Sequence, residues 1–547
     1  MASRTPKTTH MIESAIAALK VPRISHFARS TLIIAFFFGI DKGFAFVRQL
    51  LVNNQFGLGY ELDVFNAANN IPDLLSALIS GGALGVALIP VLSEAMQKRG
   101  RSAAWELFVR ILNFAFIATA LLAAIMALLA PWLIDTVIAP GFPPEQKALS
   151  VELMRLDLIA ILVFSISGLA MAGLQANQHF ILPALAPVLY NVGQIFGALV
   201  LSPQSGYQIA GFTLPHLGLG IHGLVYGVII GSLLHLGIQI PGLLRYGFRW
   251  RPIVGLNRPE VRQVLVLLGP RVLTMLFIHI YFVARDNLAS GLNEGSISAL
   301  NLGWFIMQVP ETLLGTAVAI ALLPSISEIF SRGEKEKFAQ TINGTVRAIL
   351  AFTIPAAVLL GISLPPLLAG AFPTFSAEQV ELVVWVTRLY LAGLTGHALL
   401  EIASRSFYAQ QNAVTPLWAA ALNAVAYILF AIVLADLMGA GGIAFAGTLA
   451  FTAEAMLLLW LLRRSYPSLL HSRDTLLRVA AASALGGLAA WALLEIAPIP
   501  ALFAATLGLI VGTLIALPFI LPELKVFAQL GRAVAKPPLA EEPLAGS

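Results

Sequence analysis

Three charged residues stand inside an apolar run long enough to cross a bilayer: Asp41, Lys42 and Arg48 fall between Ser30 and Asn53, among Leu, Ile, Phe and Ala. A charge at bilayer depth costs at least about 2.5–3.5 kcal/mol on insertion scales, so three in one span must face protein, water or a ligand. On a helix that rises about 1.5 Å and turns about 100° per residue, Asp41 and Arg48 share one face roughly 10 Å apart, with Lys42 on the neighbouring stripe. The spacing predicts a charged column lining an internal cavity. The next apolar stretch, 63–94, carries Asp63, Asn69, Asn70, Pro72, Asp73, Gly81, Gly82 and Pro90. Pro72 interrupts a helix and paired glycines admit a close neighbour, which is the pattern of a discontinuous transporter helix.

Composition carries the same conclusion to the whole chain. Of 547 residues, 58% are hydrophobic and 11% charged, whereas a soluble chain holds about 25% charged residues. The net charge of +5 does not point to nucleic acid, because the basic residues sit in short loops between apolar spans and read as topology signals. No cysteine is present, which excludes disulfides, thiolate metal sites and cysteine nucleophiles. Met1 to His26 is polar and basic, without the short apolar core of a signal peptide. It reads as a cytoplasmic tail with an interfacial helix at Met11–Lys20.

Spans of bilayer length occur near 30–53, 63–94, 105–134, 150–174, 181–202 and 217–243, then near 260–290, 296–328, 341–370, 378–408, 414–436 and 441–462, and finally near 476–496 and 500–521. The expected fold is therefore an all-α polytopic membrane protein of about 14 transmembrane helices, with 63–94 and 296–328 broken or tilted. Loops after even spans carry Lys98, Arg99, Arg101, then Arg245, Arg249, Arg251, then Arg332, Lys335, Lys337, then Arg463 and Arg464, while Lys147 is the clear exception among the others. That alternation places both termini in the cytoplasm. Residues near Gly206 and Gly295 are then expected to be labelled from outside, and those near Arg99 and Arg464 only after permeabilisation.

The two sets of six spans repeat one another. Ala87-Leu-Ile-Pro90-Val-Leu-Ser93-Glu94 returns as Ala321-Leu-Leu-Pro324-Ser-Ile-Ser327-Glu328, and Ala176-Asn177-Gln178 before Pro183 returns as Ala409-Gln410-Gln411 before Pro416. Six is even, so the repeats share an orientation and form two lobes related by a pseudo-two-fold axis along the membrane normal. The expected organisation is a tail 1–28, an N-lobe 29–244, a basic linker 245–262 at the membrane surface, a C-lobe 263–465, a pair of helices 466–522 and a tail 523–547. The substrate site belongs between the lobes.

No catalytic constellation emerges: the nine histidines are scattered, no ligand set suggests a metal, and no glycine-rich phosphate loop is present. The chain reads as a non-enzyme with no cofactor, driven by an ion gradient or the membrane potential. Charges within the spans include Asp73, Asp157, Arg285, Asp286, Glu311, Glu401 and Arg405, while Arg110 and Arg347 read as snorkelling from helix ends. For Lys42 and Arg48 the cavity reading is preferred, because arginine clamps a diphosphate bidentately and lysine neutralises it as a point charge.

The run Gly43-Phe-Ala-Phe-Val-Arg48, with Phe56-Gly57, Asp63-Val-Phe65, Ile71-Pro72 and Ile89-Pro90-Val-Leu-Ser93-Glu94, resembles the opening of the MurJ (MviN) lipid II flippases of the multidrug/oligosaccharidyl-lipid/polysaccharide exporter superfamily. Leu182-Pro-Ala-Leu-Ala-Pro187-Val-Leu-Tyr-Asn191 and Arg405-Ser-Phe-Tyr-Ala409 continue the likeness. The resemblance implies a lipid II flippase working by alternating access in the cytoplasmic membrane during cell wall biogenesis, with the cell-wall synthesis machinery as a partner and a lipid-tail groove at the last two spans. Lys42 and Arg48 match two cavity arginines of the family, while two others fall at Ser76 and Phe305, and Arg271 is taken as replacement positive charge. The candidate substrate residues are Asp41, Lys42, Arg48, Asp63 and Arg271. The family's proposed sodium site pairs an Asn with an Asp one turn on, but here Asn423 is followed by Tyr427. Alternatives are an exporter of another polyprenyl-diphosphate oligosaccharide, a MATE-like drug exporter, which Lys42 and Arg48 disfavour, and a non-transporting scaffold suggested by Ser76 and Phe305.

Overall fold

The structure, a computed structural model, describes residues 26–79, 83–209, 211–255, 259–469 and 473–535. The helix expected at Met11–Lys20 and the pair Gly81-Gly82 lie outside them. A bilayer offers backbone groups no water, so each crossing segment must close its own hydrogen bonds, and nearly the whole chain is helical. The N-terminal half comprises α1 His26–Phe56, α2 Tyr60–Ala68, α3 Asn70–Ile79, α4 Ala83–Trp132, α5 Pro144–Ala176, α6 Ile181–Phe196, α7 Ile221–Gly237 and α8 Ile240–Arg245. The second half holds α9 Pro259–Ala289, α10 Ser296–Glu311, α11 Ala317–Ser331, α12 Lys335–Ala371, α13 Ala377–Ala392, α14 Leu394–Ala409, α15 Val414–Met438 and α16 Ala440–Ser465, followed by α17 Arg473–Ile496 and α18 Ala501–Ala535. A two-residue hairpin, Gln208–Ile209 against Phe212–Thr213, decorates one loop.

Among the described residues, eleven helical segments are long and apolar enough to cross a membrane, against the fourteen expected. One of the eleven, Leu88–Ile138, spans 51 residues and covers parts of two expected spans, because Gly100 at φ +82° turns the chain within α4. Of the two stretches expected to be broken or tilted, 63–94 is broken where α2 gives way to α3 at Asn69, whereas α10 runs on into α11 as one helical stretch, Ser296–Ser331, that only widens at Thr312–Thr316 beyond Pro310. Lys147, the basic residue on the wrong side, is paired with Asp135 at 2.6 Å across its loop.

The internal repeat extends to the backbone. Gln178 and Gln411, both at φ +59°, are the two described non-glycine residues in the left-handed region, and they occupy the matching positions of the repeated segment. Both follow a helix end closed the same way, by His179 N–H to Leu174 O and Asn412 N–H to Phe407 O, each 3.0 Å. Gly100 is matched by Gly333 (φ +75°), and Gly220 (φ +56°) before α7 by Gly439 (φ +60°) before α16.

Small residues set the spacing around the first helix. A Cβ added to Gly193 of α6 would lie 2.3 Å from the Cα of Gly231 in α7, and one added to Gly197 would lie 2.8 Å from that of Gly227. The two backbones therefore touch along a shared glycine stripe. At the other end of the molecule, α17 and α18 are tied to α12 through buried Glu523, which accepts from Arg347 (3.0 Å), Arg478 (2.6 Å) and Thr475 (3.0 Å). Arg347 thus makes an ion pair instead of snorkelling, and α18 runs past residue 522 to Ala535.

Candidate functional site

A cavity of about 640 Å³ lies between the two halves, walled by α1 to α3 and α5 to α7 on one side and by α9 and α10 on the other. Arg48 lines it, half-buried, and its Nη1 donates to Gln194 Oε1 at 2.9 Å. One turn earlier on α6, Asn191 Nδ2 donates to Asp41 Oδ1 at 2.8 Å. The expected shared face of Asp41 and Arg48 is present, yet these two form no ion pair among the described residues. Each is held by a neutral amide of α6, whose position the glycine stripe with α7 fixes. Lys42 is exposed and is not among the cavity-lining residues. Arg271 falls on α9, with its side chain outside the described atoms.

Asp63, expected as a substrate contact, has its carboxylate engaged elsewhere. It is 4% exposed; Oδ2 accepts from Gly295 N–H at 2.7 Å, and Oδ1 from Ser298 N–H at 2.7 Å and Ser298 Oγ–H at 2.6 Å. These are the unsatisfied donors at the start of α10, whose own N-cap is a glycine without a side chain to supply. The first half thus caps a helix of the second. Other bonds between the halves gather nearby: Tyr60 N–H to Glu294 (2.6 Å), Gly141 N–H to Ser290 Oγ (3.1 Å), Asn287 Nδ2 to Val137 O (2.8 Å) and Gln379 Nε2 to Leu58 O (3.2 Å). Gly141 packs so closely that an added Cβ would meet Gly291 at 2.5 Å. All of these residues lie at or beside loops without a basic cluster, and their bonds draw the two halves together at that end of the cavity.

Deeper in, Arg285 Nε donates to Asp286 Oδ1 (2.7 Å) and its Nη2 to Asn301 (2.8 Å), while Asn70 Nδ2 reaches Asp286 Oδ2 at 2.7 Å. This buried network joins α3, α9 and α10. Arg285 is thereby neutralised, which leaves Arg48 as the described cavity-lining arginine without a carboxylate partner. Asp73 and Asp157 also line the cavity; Asp157 is 4% exposed and its Oδ1 has no hydrogen-bond partner. Sequence reasoning marked these acids as intramembrane charges but did not place them beside Arg48. Ser76 and Phe305 line the cavity too, and Phe305 stacks on Phe46 with ring centroids 6.5 Å apart. In the second half Asn423 donates to Glu454, and Tyr427 is fully buried with its ring 4.3 Å from that of Tyr281. Among the described residues no three acidic or histidine side chains converge as a metal site.

Comparison with known proteins agrees with this architecture. The chain is 29% identical to the lipid II flippase MurJ of Burkholderia cenocepacia over 71% of its own length and 74% of that protein. It is 27% identical to a probable lipid II flippase MurJ of Vibrio cholerae over 78% and 82%. A solved lipid II flippase MurJ in an inward closed conformation superposes with a TM-score of 0.75 at 22% identity, covering 90% of this chain and 99% of that one. An inward-facing MATE-family multidrug resistance transporter of the MOP superfamily follows with a TM-score of 0.65 at 17% identity, over 83% and 98%. The family model for the lipid II flippase MurJ matches residues 52–517, and with most of its length accounted for this chain belongs to the MurJ family of multi-pass membrane transporters.

Proposed function

We propose that this protein moves lipid II from the cytoplasmic to the outer leaflet by alternating access, for cell wall biogenesis. The observation that carries the reading is a polar cavity between two repeated halves, joined at one end by bonds between them and lined by an arginine that makes no ion pair among the described residues. A guanidinium in that setting is a ready partner for a diphosphate. The organisation 1–28, 29–244, 245–262, 263–465, 466–522 and 523–547 serves this cycle: two lobes rock about the cavity, and the last membrane pair, latched to α12 through Glu523, offers the lipid tail a path. We place both termini in the cytoplasm and the cell-wall synthesis machinery among the partners. Purified protein is expected to bind lipid II in preference to undecaprenyl phosphate. Equal binding, or undiminished translocation in cells depleted of this protein and of any redundant flippase, overturns the proposal.

The orientation has its own test, and the structure changes the reporter positions. Gly295, at φ +85° with an added Cβ 2.6 Å from Leu58 O, and Gly206, with one 2.3 Å from Leu214 O, cannot take a cysteine without strain. Exposed Ser205 and Asn293 are the better sites. Cysteines there are expected to react with an impermeant maleimide in intact cells, and a cysteine at Arg99 only after permeabilisation. External labelling at Arg99 reverses the assigned direction.

Asp73 and Asp157 add a pH dependence. Like charges repel, so a diphosphate beside Arg48 meets two carboxylates that favour it only when protonated or accompanied by cations. Lipid II affinity is expected to rise as pH falls, and the slope to flatten in Asp73→Asn with Asp157→Asn. An unchanged slope in that double variant removes these acids from the substrate's surroundings.

A further inference from the structure

The basic crossover between the halves is pinned, not loose. Trp105 Nε1 donates to Tyr246 O (2.9 Å), Asn113 Nδ2 to both Arg251 O and Ile253 O (2.8 Å each), and Trp250 Nε1 to Asn113 Oδ1 (2.9 Å). Phe248 packs edge-on against Trp105 and Phe108, with centroids 5.4 and 5.5 Å away. Between this strap and α4, α5, α7 and α8 lies a second cavity of about 410 Å³, separate from the central one and lined almost wholly by apolar side chains, among them Phe116, Leu236, Ile240, Leu244 and Trp250. The strap joins two apolar helices, so the pocket mouth sits at a membrane boundary, on the side of the basic loops. Arg245, Arg249 and Arg251 directly adjoin the lining residues Leu244 and Trp250 in the chain and are exposed, without an ion pair among the described residues, and Trp250 is 62% exposed.

An apolar slot of this size with a cationic rim and an interfacial tryptophan matches a phospholipid, chain in the slot and phosphate at the rim. We propose that this strap and pocket bind an anionic phospholipid of the adjoining leaflet, a site distinct from the one that carries lipid II. The cation excess at the rim selects an anionic headgroup, since a zwitterionic one would bring its own ammonium against the arginines. A lipid seated there would fasten the crossover to the first half and fix where α9 begins.

The test uses the full-length protein in phosphatidylethanolamine nanodiscs containing a small fraction of brominated phosphatidylglycerol or, in parallel, brominated phosphatidylethanolamine. The contribution of Trp250 is obtained by difference from Trp250→Phe. Brominated phosphatidylglycerol is expected to quench it severalfold more strongly. Arg249→Gln with Arg251→Gln should lower the apparent affinity by about fivefold for each arginine removed. Ile240→Phe keeps both arginines but fills the slot, and should lower the preference as well, which guards against misfolding of the charge variant. Equal quenching by the two lipids, or a phosphatidylglycerol preference that survives either variant, overturns the proposal.

Discussion

Replacing Arg48 by alanine abolishes lipid II translocation and leaves the protein folded and inserted. The second half of that expectation comes from its surroundings. Arg48 is held by the neutral Gln194 at 2.9 Å, faces an open cavity and makes no direct ion pair among the described residues, so its removal breaks no buried pair of the kind that costs about 3–5 kcal/mol. The first half comes from the cavity inventory, in which Arg285 is committed to Asp286 and no other arginine besides Arg48 lines the cavity among the described residues. A hydrogen bond to a charged group contributes about 1.5–3 kcal/mol, so loss of a bidentate clamp lowers substrate affinity by at least tenfold. Arg48→Lys should rescue partly, because the charge stays and the fork is lost. Reconstituted translocation and lipid II binding measure both. If instead Asp41→Asn with Arg48→Gln is active, Arg48 serves only to balance Asp41 and the substrate-contact reading falls.

The second large effect is expected at Asp63. Its carboxylate accepts three hydrogen bonds from Gly295 and Ser298, and each such bond is of the charged class. Losing the equivalent of one shifts the balance between the closed and open states of that end by a factor of about ten to a hundred. A cysteine at Asn66, which lines the cavity and bonds Ser298 at 3.2 Å, reports this. It should be shielded from an impermeant maleimide in the otherwise native protein and become reactive with Asp63→Ala, and to a smaller degree with Asp63→Asn. Transport should fall in parallel, since a seal that does not hold cannot alternate. Unchanged labelling in Asp63→Ala would show that the cap only stabilises α10.

The two residues also show what the sequence makes legible. Hydropathy is local, so the helical spans, the break near Asn69 and the anomalous charges can be read residue by residue. Partners are not local. Asn191 and Gln194 leave no mark in a hydropathy pattern, yet they hold Asp41 and Arg48 on the shared face that the sequence spacing predicts. Asp63 was conspicuous as a charge, but its role depends on donors more than two hundred residues away. Arg285 and Asp286 are adjacent in sequence, which hints at mutual neutralisation, whereas nothing in the chain announces that Asp73 and Asp157 share the cavity with Arg48. The count of fourteen and the count of eleven differ in part because a single glycine, Gly100, turns a continuous helical stretch back on itself.

The cap supplied by Asp63 bears on how the protein is made. Its acceptors are synthesised 232 residues before the backbone N–H of Gly295 that fills one of them, and α3 to α9 emerge in that interval. During elongation the growing half therefore carries an acid in its interior with no α10 to receive it. The arrival of α10 satisfies that acid and, in the same event, joins the two halves at that end of the cavity. The joining of the second half to the first and the closing of that end are thus one step of biosynthesis.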